Sequence, residues 1–258
     1  MATDLALLDH ARRTGEATLR LYAWARPTLS LGRHERGRGV FDVRALRESG
    51  IDLVRRPTGG RALLHDHEVT YAVAAPATAG SLGETYRAVN ALLRQALQAL
   101  GVAVDEAARA PRTGTLQAPP LRPDGAPCFA EPSAGELAVD GAKLVGSAQW
   151  RDGGAWLQHG SILLEDDQPR IAPLRRGVDA RGNGPGVLPP APASIAAAAT
   201  LRTALGRDVA PVEVEEAVIA AFEEGVGPLT ASPAATLSRA DLGRHLEALA
   251  DPTWVWRR

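Results

Sequence analysis

The chain has 258 residues, 45% of them hydrophobic, and a formal net charge of −1. That length allows one large core, and the near-neutral balance argues against a dedicated nucleic-acid binder, which carries a clustered basic excess. A single cysteine excludes an internal disulfide and a multi-cysteine zinc site, and a lone thiol suits a reducing cytosol.

The opening, MATDLALLDHARRTGE, reads as a helix with Leu5, Leu8 and Ala11 on one face, without the charged-then-apolar layout of a secretory leader. TLRLYAW (18–24) and TLSLG (28–32) alternate like strands around a turn at Pro27, and FDVRALRESG (41–50) reads as a short helix ended by Gly50. IDLVRRP (51–57) and EVTYAVAAP (68–76) read as strands flanking a Gly59-Gly60 turn. SLGETYRAVNALLRQALQALG carries a capping box, Ser81 with Glu84, and Gly101 closes it. Residues 107–127 form a long Pro/Gly/Arg-rich loop, of a length usually tied to function or disorder. GELAVDGAKLVGSAQW then predicts a hairpin turning at Asp140-Gly141. AWLQHGSILLE (155–165) supplies a strand pair or one bent strand, and 166–193 is linker-like. Helix patterns follow at 194–206, 211–225 and 238–250. No apolar run approaches the roughly 18–20 residues that cross a bilayer, and no 20–50-residue period repeats. The expectation is a soluble, cytoplasmic α+β protein with a mixed or antiparallel sheet packed with helices.

Cys128 is the first candidate for chemistry. A free cysteine is most often a small buried hydrophobe, but this one lies between Pro127 and Phe129 on a loop that opens onto a sheet. A thiol so placed acts as a nucleophile when a nearby cation favours its thiolate. Lys143, just past the Asp-Gly turn, is the nearest candidate and the only lysine in an otherwise Arg-rich chain. Standing alone it would read as a solvated turn residue.

In RRPTGGR (55–61) the Gly59-Gly60 pair permits close backbone approach, and Arg55, Arg56 and Arg61 suit an anionic group. No GK[ST] follows, so this is not a phosphate-binding P-loop; a plain Gly-Gly hairpin is the competing reading. His65 and His67 would share a face on a strand, but no third ligand stands at useful spacing, so no metal is expected. Gly146 and Ser147 interrupt a strand, as where a ligand or another backbone comes close. His159 reads as a satisfied core histidine. No nucleophile elbow, dinucleotide fingerprint or carboxylate pair stands out.

Taken in order, MATDLALLDHA, PTLSLGRHE, VRRPTGGRALLHDHEVTYAV and CFAEPSAGELAVDGAKLVGSAQWRDGGAWLQHGSILLEDD resemble the biotin/lipoate ligase superfamily, in its lipoate-protein ligase A and octanoyltransferase branch. The CF-x-x-PS pattern from Cys128 to Ser133 is similar to LipM-type octanoyltransferases. The resemblance implies a catalytic domain over residues 1–190 and a helical segment, 191–258, packed on it. It implies that Cys128 carries an acyl group, that Lys143 assists, and that Arg55, Arg56, Gly59, Gly60, Arg61, His65, Gly146, Ser147 and Ala148 line the acyl pocket. The implied reaction moves octanoyl from acyl carrier protein to a lysine of a lipoyl-accepting protein, such as glycine cleavage H protein or a dehydrogenase E2 subunit, with no cofactor, nucleic acid or membrane.

On this reading Lys143 serves as an ammonium and, its pKa drawn toward neutrality by partial burial, as a base. Backbone N–H groups near Gly146 or at the Cys128 loop would stabilise the oxyanion. Rival readings are an ATP- and magnesium-dependent lipoate ligase holding an acyl-adenylate, an amidotransferase between lipoyl-bearing proteins, and a silent acyl-binding protein.

Overall fold

The computed structural model describes residues 1–77, 80–107, 128–129, 135–176, 197–232 and 237–257. In chain order the elements are α1 (Ala2–Thr14), β1 (Thr18–Tyr22), β2 (Thr28–Leu31), α2 (Val43–Glu48), β3 (Asp52–Arg55), β4 (Leu63–His65), β5 (Glu68–Pro76), α3 (Leu82–Ala99), β6 (Asp105–Glu106), β7 (Leu137–Val139), β8 (Ala142–Asp152), β9 (Ala155–Leu163), a 3-10 turn (Gln168–Leu174), α4 (Leu201–Leu205), α5 (Pro211–Val226), α6 (Arg239–Ala250) and α7 (Pro252–Val255). The mixture of an antiparallel sheet with helices is the α+β architecture expected.

Both faces of β5 are apolar, and this decides how the large sheet is covered. Val69, Tyr71, Val73 and Ala75 are buried with Val89, Leu93 and Leu97 of α3 and Val218 and Phe222 of α5. The alternate residues Ala72 and Ala74 are buried with Leu7, Leu8 and Ala11 of α1. The period of two therefore sends each set to its own helical layer. The sheet runs β1-β5-β9-β8-β7-β6, antiparallel at each pairing. A smaller sheet, β3-β2-β4, pairs β2 with β3 in parallel through α2 and with β4 antiparallel. Leu29, Leu31, Phe41, Leu46 and Leu64 form its own cluster.

This arrangement corrects the reading around Gly59-Gly60. β3 and β5 are not a hairpin: they belong to different sheets, and the short β4 lies between them in sequence. The physical reason is β2, whose four residues are all buried and which needs a partner on each edge. The strand at 155–165 is one strand, β9. The Asp140-Gly141 hairpin forms as expected, with φ of 50° and 77°, the pair of positive values a tight two-residue turn requires. The capping box on α3 is present.

The helix pattern at 194–206 begins only at Leu201, capped by Thr200. Before it the chain is held against β8, where Ala199 N–H donates to Lys143 C=O at 3.0 Å. Residues 194–196, the loop 108–127, and 177–193 of the linker-like stretch lie outside the described residues. At the far end, α6 packs on α1 and α7 on β3.

Candidate active site

The β7–β8 hairpin positions the lysine through an irregularity. Leu137 pairs with Val145 but Ala138 pairs with Lys143, so Leu144 is an extra residue on β8. In a regular strand Lys143 and Val145 would share a face; the slip puts them on opposite ones, as a β-bulge does when it re-aims a side chain. Lys143 is thereby buried, 2% exposed, with its Nζ 3.3 Å from Cys128 Sγ, 3.0 Å from Cys128 C=O and 2.7 Å from Glu136 Oε1. The chain's only thiol and only side-chain amine are in contact. Phe129 covers the pair, its ring centroid 5.1 Å from Nζ.

Lys143 is not the solvated turn residue of the plain reading, and its charge differs from expectation. Burial alone disfavours the ammonium, but the Cys128 sulfur and Glu136 outweigh it and hold the pKa above the ordinary lysine value. Lys143 therefore stays an ammonium and does not approach neutrality. Glu136 is the candidate site residue sequence reasoning missed. Its signal was available: it immediately precedes the strand that pairs with the lysine's own.

Cys128 is half-buried among Leu63, Phe129, Leu163 and Ala198. Its backbone N–H donates to Ala62 C=O at 2.9 Å, which commits that donor to the fold and removes it as an oxyanion ligand. Ala62 follows the Gly59–Arg61 segment, so this bond ties the thiol loop to the glycine loop.

Arg55 and Arg56 do not reach for an anion. Arg55 is fully buried and donates to the carbonyls of Gly32 (2.6 Å), Glu35 (2.7 Å), Trp254 (3.0 Å) and Arg257 (3.2 Å), clamping the chain end onto β3. Arg56 donates to Gly59 C=O (3.0 Å), Arg61 C=O (2.7 Å) and Ser30 Oγ (2.9 Å), so it shapes the loop. Burial lowers the Arg56 pKa, opposed first by Cys128, which places this second buried cation within electrostatic reach of the sulfur. Arg61 is half-buried. Close approach is the reason for glycine here: a Cβ on Gly32 would lie 1.8 Å from Gly60 C=O.

β8 runs unbroken through Gly146, Ser147 and Ala148. Gly146 faces the dyad, and a Cβ there would lie 2.9 Å from the Phe129 ring and 3.3 Å from Lys143 Cε. Ser147 points to the α3 side, 2.6 Å from Tyr71 OH, in a buried network that continues through Gln158 to Asn90. Ala148 is half-buried and pairs with His159. Of the residues the resemblance implied, Gly146 lies against the Cys128–Lys143 pair, whereas Ser147 turns away from it.

His65 and His67 do not share a face. His65 is buried, with Nδ1 2.7 Å from Glu68 and Nε2 2.8 Å from Ser30, and Trp24 stacks on its ring at 4.3 Å. His67 is 57% exposed and turned toward Asp167 at 2.9 Å. Asp66, His67 and Asp167 could together hold an ion, yet Arg170 already pairs with both carboxylates.

His159 is the buried, satisfied histidine expected, with Thr58 Oγ1 2.7 Å from Nε2 and Asp4 Oδ2 3.3 Å from Nδ1. Burial lowers its pKa, more than Asp4 raises it, so the ring is neutral. Nδ1–H is accordingly assigned as donor to Asp4, and Nε2 accepts from Thr58. Arg20 completes the group, 2.6 Å from Asp4.

The arrangement can hold a thiolate beside a fixed ammonium, next to apolar surface and a strand without a side chain at Gly146. That is the equipment for covalent acyl transfer.

Comparison with known proteins agrees in kind. The model of the lipoyl protein ligase A/B catalytic domain matches residues 1–223. An octanoyltransferase LipM from Kyrpidia tusciae is 39% identical over 267 residues, covering 100% of this chain and 94% of its own. One from Symbiobacterium thermophilum is 38% identical over 243 residues, covering 90% and 83%. Among solved structures, protein Ta0514 from T. acidophilum with bound lipoic acid has a TM-score of 0.72 at 19% identity, over 99% of this chain and 93% of that one, a likeness of fold.

Proposed function

Because this chain belongs to the lipoyl protein ligase A/B catalytic-domain family, we propose that it is an octanoyltransferase of lipoate biosynthesis, working through a Cys128 thioester. The observation that carries the reading is the 3.3 Å contact between Lys143 Nζ and Cys128 Sγ. The donor is octanoyl-acyl carrier protein and the acceptor a lysine on a lipoyl domain, of the kind borne by glycine cleavage H protein or a dehydrogenase E2 subunit. The setting is the cytoplasm, where the thiol stays reduced; no described helix is long and apolar enough to cross a membrane.

In the first step the Cys128 thiolate attacks the donor's thioester carbonyl. A carbon–sulfur bond forms to Cys128, the donor's carbon–sulfur bond breaks, and the carrier thiol leaves with a proton from solvent. One thioester replaces another, so no nucleotide is consumed. In the second step the neutral amine of the acceptor lysine attacks. The carbon–nitrogen bond forms, the bond to Cys128 breaks, and the amine's proton passes to solvent.

Lys143 acts in both steps as a fixed positive charge. It neutralises the thiolate before the first and as it departs in the second, a stabilisation that is strong because the pair is shielded from water. Glu136 holds the ammonium in place. Burial of the acyl tail contributes roughly 5 kcal/mol at about 0.8 kcal/mol per CH₂.

Intact-mass measurement after mixing with octanoyl-carrier protein, without nucleotide, tests the reading. The expected result is one octanoyl group that maps to Cys128 and is chased off by an acceptor domain. Labelling that appears only when ATP and magnesium are supplied, or survives in Cys128→Ser, replaces the transferase with an acyl-adenylate-forming ligase.

A further inference from the structure

The loop between β2 and α2 carries a charge pattern that the chemistry at Cys128 leaves unused. Residues 33–38 read RHERGR, three arginines and a histidine around one glutamate, in a chain of net charge −1. The glutamate is turned inward: Glu35 Oε2 accepts from Gly32 N–H at 3.2 Å, and burial raises its pKa. Arg36, Arg38 and His34 are exposed and Arg33 half-exposed. None of the three arginines forms an ion pair with any described acidic residue, unlike exposed arginines such as Arg44, Arg202 and Arg244, which pair with Glu48, Glu165 and Asp241. The loop thus presents three guanidinium charges that no described carboxylate pairs with.

Its position is tied to the active site by direct contacts. Arg33 N–H donates to Thr58 C=O at 2.8 Å, and the Arg33 guanidinium lies 5.4 Å from the ring of Trp150, two residues beyond Ala148 on β8. Gly32 packs on Gly60, and two residues further Ala62 C=O receives the Cys128 N–H. The basic loop therefore meets the glycine loop at Thr58 and Gly60 and the thiol loop meets it at Ala62, so the glycine loop intervenes between the arginines and Cys128 in this chain of contacts. The conspicuous exposed acids Glu216, Glu223 and Glu224 are on α5, which covers the opposite face of the large sheet.

We infer that the Arg33–Arg38 loop is the docking surface for the acyl-donor carrier protein, which it engages through an acidic face on that partner; the inference rests on the octanoyltransferase reading. Charge complementarity names the chemistry of the partner, and the intervening loop selects the donor. A carrier presents its thioester at the end of a long flexible arm, so its body rests at a distance from the thiol it acylates. The acceptor presents only a lysine side chain and must come up to Cys128 itself. Unpaired guanidinium groups at the border of a reactive site steer an oppositely charged partner and orient it, raising the on-rate more than the rate of the chemical step.

The test uses the full chain with Arg36→Glu/Arg38→Glu, and Arg36→Gln/Arg38→Gln as a milder pair. Thermal unfolding of both checks the fold. Acylation of Cys128 is followed from octanoyl-carrier protein and from octanoyl-pantetheine, a small neutral thioester; release of octanoyl from pre-acylated enzyme to a lipoyl domain is followed separately. The charge reversal is expected to lower kcat/KM for the carrier-borne donor by about tenfold to a hundredfold, with the neutral pair intermediate. The wild-type salt dependence of that step should flatten. Octanoyl-pantetheine and the release step should keep wild-type rates. Equal losses with both donors, no loss with the carrier, or a loss confined to the release step each overturns the assignment, the last by giving the surface to the acceptor. Failure of wild-type enzyme to take octanoyl from either thioester would instead strike the octanoyltransferase reading.

Discussion

Residues 55–56 and residue 143 bury cations on either side of one glycine loop and use them in opposite ways. Arg55 and Arg56 direct their N–H groups to backbone carbonyls, in Arg55's case those of a chain end some 200 residues away. Lys143 directs its ammonium to a carboxylate and a sulfur. The difference teaches that a buried cation is read by its acceptors. A guanidinium whose donors are taken by carbonyls builds a loop, and an ammonium that reaches a nucleophile tunes one. Both pay for desolvation, but only the ammonium donates to the group whose charge the proposed mechanism changes, while Arg56 feels the same sulfur without donating to it.

The comparison breaks most decisively at the thiol. Cys128→Ala should abolish acyl transfer, by at least about a thousandfold, and leave unfolding near the wild-type temperature, as enzyme assays beside calorimetry would show. Arg55→Met should do the reverse. It orphans several carbonyls at once and should cost on the order of 3 kcal/mol of stability, seen as a lower denaturant midpoint, while correctly folded molecules keep their rate. If Arg55→Met instead removed activity without destabilising the fold, the contrast drawn here would be wrong.

Glu136→Gln sharpens the lysine side. Lys143 has a raised folded-state pKa, so the favourable charge contact is in place below the ordinary lysine value and is lost as pH rises through the folded value. Without the Glu136 charge, burial acts less opposed, and the alkaline limb of the acylation rate should move to lower pH. The rate at neutral pH should fall about tenfold to a hundredfold. A pH–rate profile with an unmoved alkaline limb would remove Glu136 from the mechanism. Gly146→Ala should cost about tenfold in acylation, because the methyl must displace Phe129 or the Lys143 stem; a burst assay would report it.

His67→Gln marks the small end. Asp167 raises the His67 pKa, so its pairing stabilises below the ordinary histidine value and fades as pH rises through the folded value. The side chain is more than half exposed, and solvent screens the pair. The unfolding midpoint should therefore shift only slightly, near pH 6 and not near pH 9, with transfer unchanged.

Much of the molecule follows from local chemistry. The strand at 68–76, the capping box at Ser81 and Glu84, and the Asp140-Gly141 turn are short-range preferences that the folded chain keeps. The pairing of β3 with β2 was hidden because a parallel partner leaves no turn residues between the strands to announce it. The same holds for the site. Cys128 and Lys143 were legible as the only residues of their kinds, but the carbonyl partners of Arg55 were not, because they come from β2's loop and from the chain end.

By itself the sequence determined the residue types of the candidate pair, the hairpin that carries the lysine and the helices that cover the large sheet. All of these rest on contacts within a few positions. Only the tertiary structure decided that Leu144 is extra on β8, that Lys143 turns toward Cys128 and Glu136, and that its charge survives burial. Those outcomes depend on groups brought together from separate segments and shielded from water, where the local dielectric and not the residue's own pKa governs its state.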